Sequence, residues 1–430
     1  MLAPMPPAPT VVASWQDALS MLNARSLDLR NAYDQIKAAE AQSRIALAAM
    51  LPTLNATGTV THQFITKTPL MTTMPIGATG AGCSGTGCTQ TPSSAGGNLI
   101  LTQPLLAIEA WHTLGTRHVS EEAARLSGED LRRTLAISVG TDIINVVAAE
   151  RVAELSRVAL RNALEQRALI GLKAKDGAAN ALDVANIQQS LDTARAAIVT
   201  NDELLRQARE ALGLALGKPD QMGVPPTFSL NDLVTGAGTS CHMVARLEAR
   251  QDIAALRKLE EVAARNVTDV YEQFLPTVNA ASTLATTTLT TPNTTWNIQG
   301  ILSIPIWDGG VRYGNLHNMQ ALLDEAKNAT EQAERNATIL IFQAKRGVEV
   351  AQDAERVAEQ ARATDANIDK MTRAIFRTGG ASISGTPVTS LNVQLATETL
   401  REAEINLALK QAATMQAKLT LALTLSVCHW

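Results

Sequence analysis

Four prolines occur in the same order in both halves of the chain, and this order limits the folds open to the sequence. Pro52 and Pro276 each follow a leucine and precede threonine, an apolar residue, asparagine and alanine, and Pro104 of the first half is matched by Pro305 of the second. Apolar residues have helical spacing before Pro52 and Pro276 and alternate after them, and Pro104 and Pro305 mark the return to helical spacing. Proline suits such junctions because it cannot donate within a helix and favours extended geometry in its predecessor. Each half therefore predicts helix, strand, loop, strand, helix and helix.

This order predicts two internal repeats with defined boundaries. The predicted parts are an N-terminal extension (1–14); repeat 1 (15–217) with strands at 53–66 and 97–105, a long helix at 108–172 and a helix at 182–216; a linker (218–240); repeat 2 (241–427) with strands at 277–289 and 295–305, a long helix at 310–376 and a helix at 388–425; and a C-terminus (428–430). Prolines and glycines within 218–240 favour a linker there. Shorter helices are expected before each strand pair, at 15–50 and 243–274.

The long helices are predicted to pack side by side. Aromatic residues make up only 3% of the 430 residues, which is typical of packed helices and not of a large globular core. In the second long helix, apolar or small residues recur at an average spacing of 3.5 over ten steps from Ala326 to Ala361, the period of a left-handed coiled coil. At about 1.5 Å per residue, such a helix is on the order of 100 Å long.

The predicted strands carry one apolar face and one face of Thr, Asn and Gln. Residues 53–66 and 295–305 alternate most regularly. This pattern is typical of a transmembrane β-barrel, and an antiparallel sheet on a soluble core would look similar. Four strands leave two open edges, which lipid does not tolerate, so a barrel would require several identical chains. Three chains would supply twelve strands.

Two motifs give the pattern a specific resemblance. The run Pro-Ile-Trp-Asp-Gly-Gly at 305–310 opens a long helix, and Gly-x-x-Asn-x-Leu-Asp-Val-x-x-Ile-Gln-x-x-Leu-x-x-Ala occupies 177–194. With the duplicated strand pairs, the chain resembles the TolC-type outer-membrane efflux family from about residue 15 to 425. The resemblance implies a mixed α and β membrane protein: a homotrimer with a 12-stranded barrel in the Gram-negative outer membrane and a coiled-coil α-helical barrel in the periplasm. It also implies a passive exit duct that meets outer-membrane lipid, a periplasmic adaptor and an inner-membrane transporter.

The resemblance also assigns roles to residues at the tips of the two helical hairpins. The acidic residue of the first tip is Asp183, while Thr389 and Asn392 stand where the best-known family member carries acidic residues. These three are candidates for the periplasmic aperture, although Asp183 would equally serve as a cap at a helix start. Further candidates, for the adaptor-facing rim, are Lys173, Lys175, Gly177, Arg373, Arg377, Gly379 and Gly380. The alternatives are that the basic residues only solvate the rim and that the glycines only allow tight turns.

Four cysteines favour an oxidising compartment. Cys83 and Cys88 are close enough in a Gly/Ser/Thr-rich loop for a small disulfide ring, and Cys241 and Cys428 lie at the outer ends of two helices in the second half. Unpaired cytosolic thiols are the alternative. The first residues lack the basic and apolar regions of a signal peptide, so we expect either a cytosolic chain or a mature chain whose signal was removed.

The sequence predicts no enzyme, cofactor or metal site. The run Gly-Ala-Gly-Cys-Ser-Gly at 80–85 spells a dinucleotide-binding pattern, but neither a buried strand nor a helix flanks it. His112 and His118 are six residues apart, which does not place two ligands on one helix face. A net charge of −4 without basic clusters argues against nucleic acid.

Three other functions remain open at this stage. Type I protein secretion uses the same outer component as small-molecule efflux. A coiled-coil scaffold would explain the helices but not the duplicated strands, and a surface adhesin would explain the strands but not the helix pairs.

Overall fold

The computed structural model describes residues 2–62, 93–176, 180–244, 246–287, 293–378, 388–428 and 430. The elements in chain order are β1 (Thr10–Val11), α1 (Trp15–Arg25), α2 (Leu27–Ala48), β2 (Thr53–His62), β3 (Ser93–Leu106), α3 (Ile108–Lys175), α4 (Ala181–Ala215), β4 (Met222–Gly223), α5 (Leu230–Ser240), β5 (Cys241–Met243), α6 (Gln251–Glu272), β6 (Thr277–Thr287), β7 (Asn293–Ser303), α7 (Val311–Thr378), α8 (Ser390–Thr424) and β8 (Ser426–Cys428). A short 3-10 helix, Leu247–Ala249, precedes α6.

Helices of the two halves match in length. α3 and α7 each have 68 residues, α4 and α8 each have 35, and α2 and α6 each have 22. Equal lengths are what a duplicated unit requires. No helix in the described ranges is both long enough and apolar enough to cross a lipid bilayer.

The described residues form two compact units, each built from both halves of the chain. The first unit comprises Met1–Lys37, Glu122–Lys258 and Lys327–Trp430, and the second comprises Ala38–Glu121 and Leu259–Ala326.

The second unit contains a four-stranded antiparallel sheet in the order β2-β3-β6-β7, so β2 and β7 are its open edges. The register places apolar residues in rows across all four strands. One such row is Ala56, Leu99, Leu284 and Trp296, and the next in the same direction contains Leu54, Leu101, Ser282 and Ile298. Side chains alternate between faces along a strand, so these rows share one face.

The other face of this sheet is polar. Thr57, Asn98, Ala285 and Thr295 form one row of that face, and Asn55, Ile100, Thr283 and Asn297 form the next. Every residue of β2 and β7 is exposed, including Val60 at 85% and Ile298 at 69%. Among the described residues, the edge strands β2 and β7 are therefore exposed on both faces and have no strand paired to their outer edges.

A bulge in β3 changes which leucine lies opposite β6 at the end of the strand. The pairing shifts between Pro104 and Leu106, so that Leu106 rather than Leu105 lies opposite Val278, which in turn pairs with Leu302. Pro104 has no N–H to donate, and a bulge is a usual place for proline in a sheet. Both candidates for this position are leucines, so the row stays apolar with the bulge.

The hydrophobic core of the first unit gathers segments that are distant in sequence. Its largest fully buried side chains include Leu22, Ile143, Leu212, Leu233 and Leu419. Burying a leucine or isoleucine side chain contributes about 1.5–3 kcal/mol, so this cluster is a principal source of stability in the unit. The disulfide between Cys241 and Cys428 joins β5 to β8, and both cysteines belong to this core.

Two parts of the first unit differ from the sequence interpretation. The segment 218–240, expected to be a linker, contains the helix α5. Ser229 caps the start of this helix, and its side chain accepts a hydrogen bond from the Asp232 N–H. Gly236 lies within α5. A Cβ at this position would stand 3.0 Å from Cδ1 of Trp15, so a larger residue would crowd the Trp15 ring. That glycine permits close packing of α5 on α1 and does not mark a turn.

The first helix is also interrupted where the sequence predicted one continuous helix. Ser26 ends α1, and its hydroxyl accepts a hydrogen bond from the Leu29 N–H at 3.3 Å at the start of α2. Serine favours such a cap because its side chain competes with the helical backbone for hydrogen bonds. The interruption needs neither proline nor glycine.

Candidate functional site

The first turns of α4 and α8 hold the three aperture candidates, and both turns use the same capping arrangement. Asn180 caps α4: its side chain accepts from the Asp183 N–H at 2.8 Å, and the Asp183 carboxylate accepts from the Asn180 N–H at 3.1 Å. Thr389 caps α8 in the same way with Asn392, whose side-chain oxygen accepts from the Thr389 N–H at 2.9 Å. Such reciprocal caps satisfy backbone donors that a helix start leaves free. All three candidates therefore serve as helix caps.

A hydrogen bond joins the two helix starts. The hydroxyl of Ser390, in the first turn of α8, donates to Oδ1 of Asp183. A second link is the bond from the Gln394 amide to the Asn186 carbonyl at 3.4 Å. Asp183 therefore caps its own helix with one carboxylate oxygen and fixes the neighbouring helix start with the other.

Further along the helices, two polar contacts cross between α4 and α8 and between α3 and α8. Ser190 Oγ donates to Glu398 Oε1 at 2.8 Å, and Gln166 Nε2 donates to Thr397 Oγ1 at 3.2 Å. Ser190 is buried, so this bond is shielded from water. The tip residues are thus held by neighbouring helices as well as by their own caps.

The basic rim candidates divide into two groups. Arg373 donates from Nε to both oxygens of the buried Asp369 carboxylate, at 2.9 and 2.8 Å, and from its terminal nitrogen to Thr397 Oγ1 at 3.0 Å. The Lys173 ammonium lies 3.6 Å from the centroid of the Phe376 ring, a cation–π contact. These two cations are committed to contacts within the chain.

Lys175 and Arg377 differ because both are exposed in the last turns of α3 and α7. Cations at the end of a helix interact favourably with the negative end of the helix dipole. A small cavity of about 60 Å³ is lined by Asp183, Arg377, Arg373 and Ser390 among others. The structure thus brings the acidic aperture candidate and two basic rim candidates around one cavity.

Some expected site residues cannot be placed, and others were missed. Gly177, Gly379, Gly380, Cys83 and Cys88 lie outside the described residues. Sequence reasoning did not select Ser390, Asp369, Phe376 or Thr397, because each acts through a contact with a distant segment. The sequence did carry a signal for the two caps. Thr389 precedes Asn392 by three residues at the start of α8, and Asn180 precedes Asp183 by three residues at the start of α4.

Comparison with solved structures identifies the fold. The fold aligns with that of CusC at a TM-score of 0.79 and 20% identity, covering 95% of this chain and 92% of that one. It aligns with the outer membrane protein VceC from Vibrio cholerae at a TM-score of 0.74 and 17% identity, covering 95% of this chain and 96% of that one. The CusC structure was described in terms of transmembrane channel formation. The chain therefore has the mixed α and β fold of the outer-membrane channel proteins.

Sequence comparison then gives the family. Residues 18–218 match the family described as Outer membrane efflux protein. Outer membrane protein OprJ from Pseudomonas aeruginosa is 27% identical over 224 residues, which is 49% of this chain and 45% of OprJ, so the match spans less than half of that relative. The match over residues 18–218 confirms the predicted resemblance to outer membrane efflux proteins in the first half of the chain. OprJ and VceC are themselves outer membrane proteins.

Proposed function

We propose that three copies of this chain form a passive exit duct of a tripartite efflux pump. In this assembly each copy gives four strands to a 12-stranded barrel in the outer membrane, and its helices join a coiled-coil tube that extends into the periplasm. A periplasmic adaptor and an inner-membrane transporter complete the pump. Because the duct itself performs no energy-dependent step, substrate choice lies with the transporter.

The main support for the proposal is the four-stranded sheet, which has exposed apolar side chains and open strand edges. Leu54, Trp296 and Ile298 of its apolar face are exposed, and among the described residues no strand pairs with the outer edge of β2 or of β7. Lipid would cover the apolar face, and pairing of β2 of one copy with β7 of the next would remove both edges. The polar face would then line a water-filled lumen.

Exposed apolar side chains on the helices support assembly with further copies. Leu27, Val199, Leu214, Phe342 and Val357 are all more than half exposed. Helices packed around a tube would bury such side chains between neighbouring copies.

In this assembly the tips form the periplasmic aperture and its rim. We propose Asp183 as an aperture residue, with Thr389 and Asn392 at the matching positions of the second tip. Neutral side chains at those two positions leave Asp183 as the acidic member of the set. Lys175 and Arg377 are the proposed adaptor contacts because both are exposed, whereas Lys173 and Arg373 are already paired.

The experiment that tests the proposal is cross-linking between the two sheet edges. Thr57→Cys on β2 and Thr295→Cys on β7 lie on the polar face, at opposite edges of the sheet. In a background with Cys83 and Cys88 replaced by serine, a flexible bismaleimide should produce covalent dimers and trimers in detergent. Either single variant should remain monomeric on denaturing gels.

The mass of the detergent-solubilised particle, corrected for bound detergent, supplies the second readout. Three chains per particle are expected. A monomer or dimer that needs no detergent, with no cross-linked trimer, would overturn the proposed barrel.

A further inference from the structure

A cluster of three metal-binding side chains lies in the second unit. His112 belongs to α3, and Asp269 and Glu272 belong to α6, where their separation of three residues places both carboxylates on one helix face. One ligand atom from each residue lies within 4.8 Å of the other two. The cluster joins helices from the two halves of the chain.

Two members of the cluster are fixed in place. His112 Nδ1 lies 2.5 Å from Asp269 Oδ1, and their side chains are only 23% and 13% exposed. Thr116, one turn along α3, donates its hydroxyl hydrogen bond to Asp269 Oδ2 at 3.2 Å. A second donor of this kind holds a ligating carboxylate in orientation, as the outer contacts of metal sites do.

The third member is incompletely satisfied. Oε2 of Glu272 is buried and has no hydrogen-bond partner among the described residues. The neighbouring Glu109 already accepts a bond from Gln273 Nε2 at 2.9 Å. The contact of His112 with Asp269 therefore leaves Glu272 with a buried oxygen that a cation could satisfy.

We propose that His112, Asp269 and Glu272 bind a divalent first-row transition metal of the Zn²⁺ type, with solvent in the fourth position. Zn²⁺ takes nitrogen at about 2.0–2.1 Å and carboxylate oxygen at about 2.0–2.2 Å, so tetrahedral ligand atoms stand roughly 3.4 Å apart. The present separations, from 2.5 Å up to 4.8 Å, lie on both sides of that value. Small side-chain rotations would close the site without moving the backbone.

The ligand set argues for this class of metal. An imidazole favours zinc, copper, nickel and iron over magnesium and calcium, which prefer oxygen ligands alone. Two carboxylates neutralise the charge of a divalent ion, so its burial costs less. Bound metal would link α3 to α6 and stabilise the second unit, a role separate from transport.

The test uses the full chain in detergent, freed of metal with EDTA and then titrated with Zn²⁺ by calorimetry. One ion per chain is expected, and binding should weaken tenfold or more in Glu272→Gln and in His112→Gln. His118→Gln is the matched control because His118 lies on the same helix as His112 but is exposed. Its Nδ1 lies 3.8 Å from Oε2 of Glu121. That control should bind Zn²⁺ as the unaltered chain does.

Two further readouts separate a built site from surface binding. Co²⁺ should give the intense visible absorption of tetrahedral coordination, and Zn²⁺ should raise the melting temperature of the unaltered chain and of His118→Gln but not of Glu272→Gln. Melting of each variant in EDTA shows that it folds. Absence of stoichiometric binding, or equal binding in Glu272→Gln and the unaltered chain, would overturn the site.

Discussion

Ser390 donates a hydrogen bond to the carboxylate of Asp183 across 207 positions of the sequence, and this bond joins the first turns of α4 and α8. Asp183 also completes the cap of α4. One side chain thus has a structural role that is visible in the chain and a proposed role in the aperture of the trimer. The two roles are separable because Asn392 has the same capping role in α8 without a charge.

We expect Asn392→Ala to lower the free energy of unfolding by about 1 kcal/mol because it loses a capping box, and Asp183→Ala to lower it by more because it also loses the bond from Ser390. Only Asp183→Ala should change single-channel conductance or its sensitivity to cations, since only it removes charge from the proposed aperture. Planar-bilayer recording and thermal unfolding measure the two effects. Unchanged currents in Asp183→Ala would remove this residue from the aperture.

Neighbouring residues of β7 test which sheet face meets lipid. Ile298→Lys should disfavour the assembled state by about 2–4 kcal/mol because it places a charge on the apolar face, whereas Asn297→Lys should assemble normally on the polar face. The readout is the fraction of heat-resistant trimer in outer-membrane preparations. Asn297→Lys should also shift ion selectivity toward anions. Equal assembly of the two variants would argue against a lipid-facing apolar row.

Acid sensitivity should depend in part on Asp252. Burial opposes ionisation of this carboxyl, but two hydrogen bonds from Arg250, at 2.7 and 2.6 Å, and the charges of Arg250 and Arg133 outweigh burial and lower its pKa. The unfolded chain then binds more protons than the folded chain, so this stabilisation is complete above the unfolded pKa of about 3.9 and disappears as pH falls through the folded value.

Asp252→Asn should therefore cost roughly 2 kcal/mol at pH 7, because it leaves the buried Arg250 guanidinium without its partner. The difference from the unaltered chain should shrink below about pH 4. Urea unfolding across pH 3 to 8 measures it, and Asp34→Asn is the control, since the Asp34 pair with Lys37 is exposed and 3.7 Å long. A difference that stayed constant with pH would assign the effect to packing.

The disulfide between Cys241 and Cys428 should stabilise the chain without holding copies together. It bridges 187 residues, and both cysteines are buried in one chain. Replacing both with serine should lower the free energy of unfolding by about 2–4 kcal/mol, with an unchanged particle mass in detergent. Loss of the trimer after reduction would mean that cysteines link chains.

Much of the fold could be predicted because its signals are local. Proline, strand alternation and helical spacing act over a few residues, and the helices expected at 108–172 and 310–376 occur as Ile108–Lys175 and Val311–Thr378. Strands fall within a few residues of their expected positions for the same reason. The family resemblance followed from the order of these elements.

Features that depend on contacts between distant segments could not be predicted. Gly236 indicates a linker until Trp15 is seen against it. Likewise, the spacing of histidines along one helix gives no sign of the cluster around His112. Its neighbours Asp269 and Glu272 come from another helix, 157 or more residues away. The Ser390 bond to Asp183 has no local signal at all.

The extra residue in β3 sets a rule for any change in strand length. Leu106 faces the same way as Val278 and Leu302 only because one residue is inserted after Pro104. A one-residue shift turns every following side chain to the opposite face of a sheet. Insertions or deletions in these strands therefore preserve the two faces only in even numbers or with a compensating bulge.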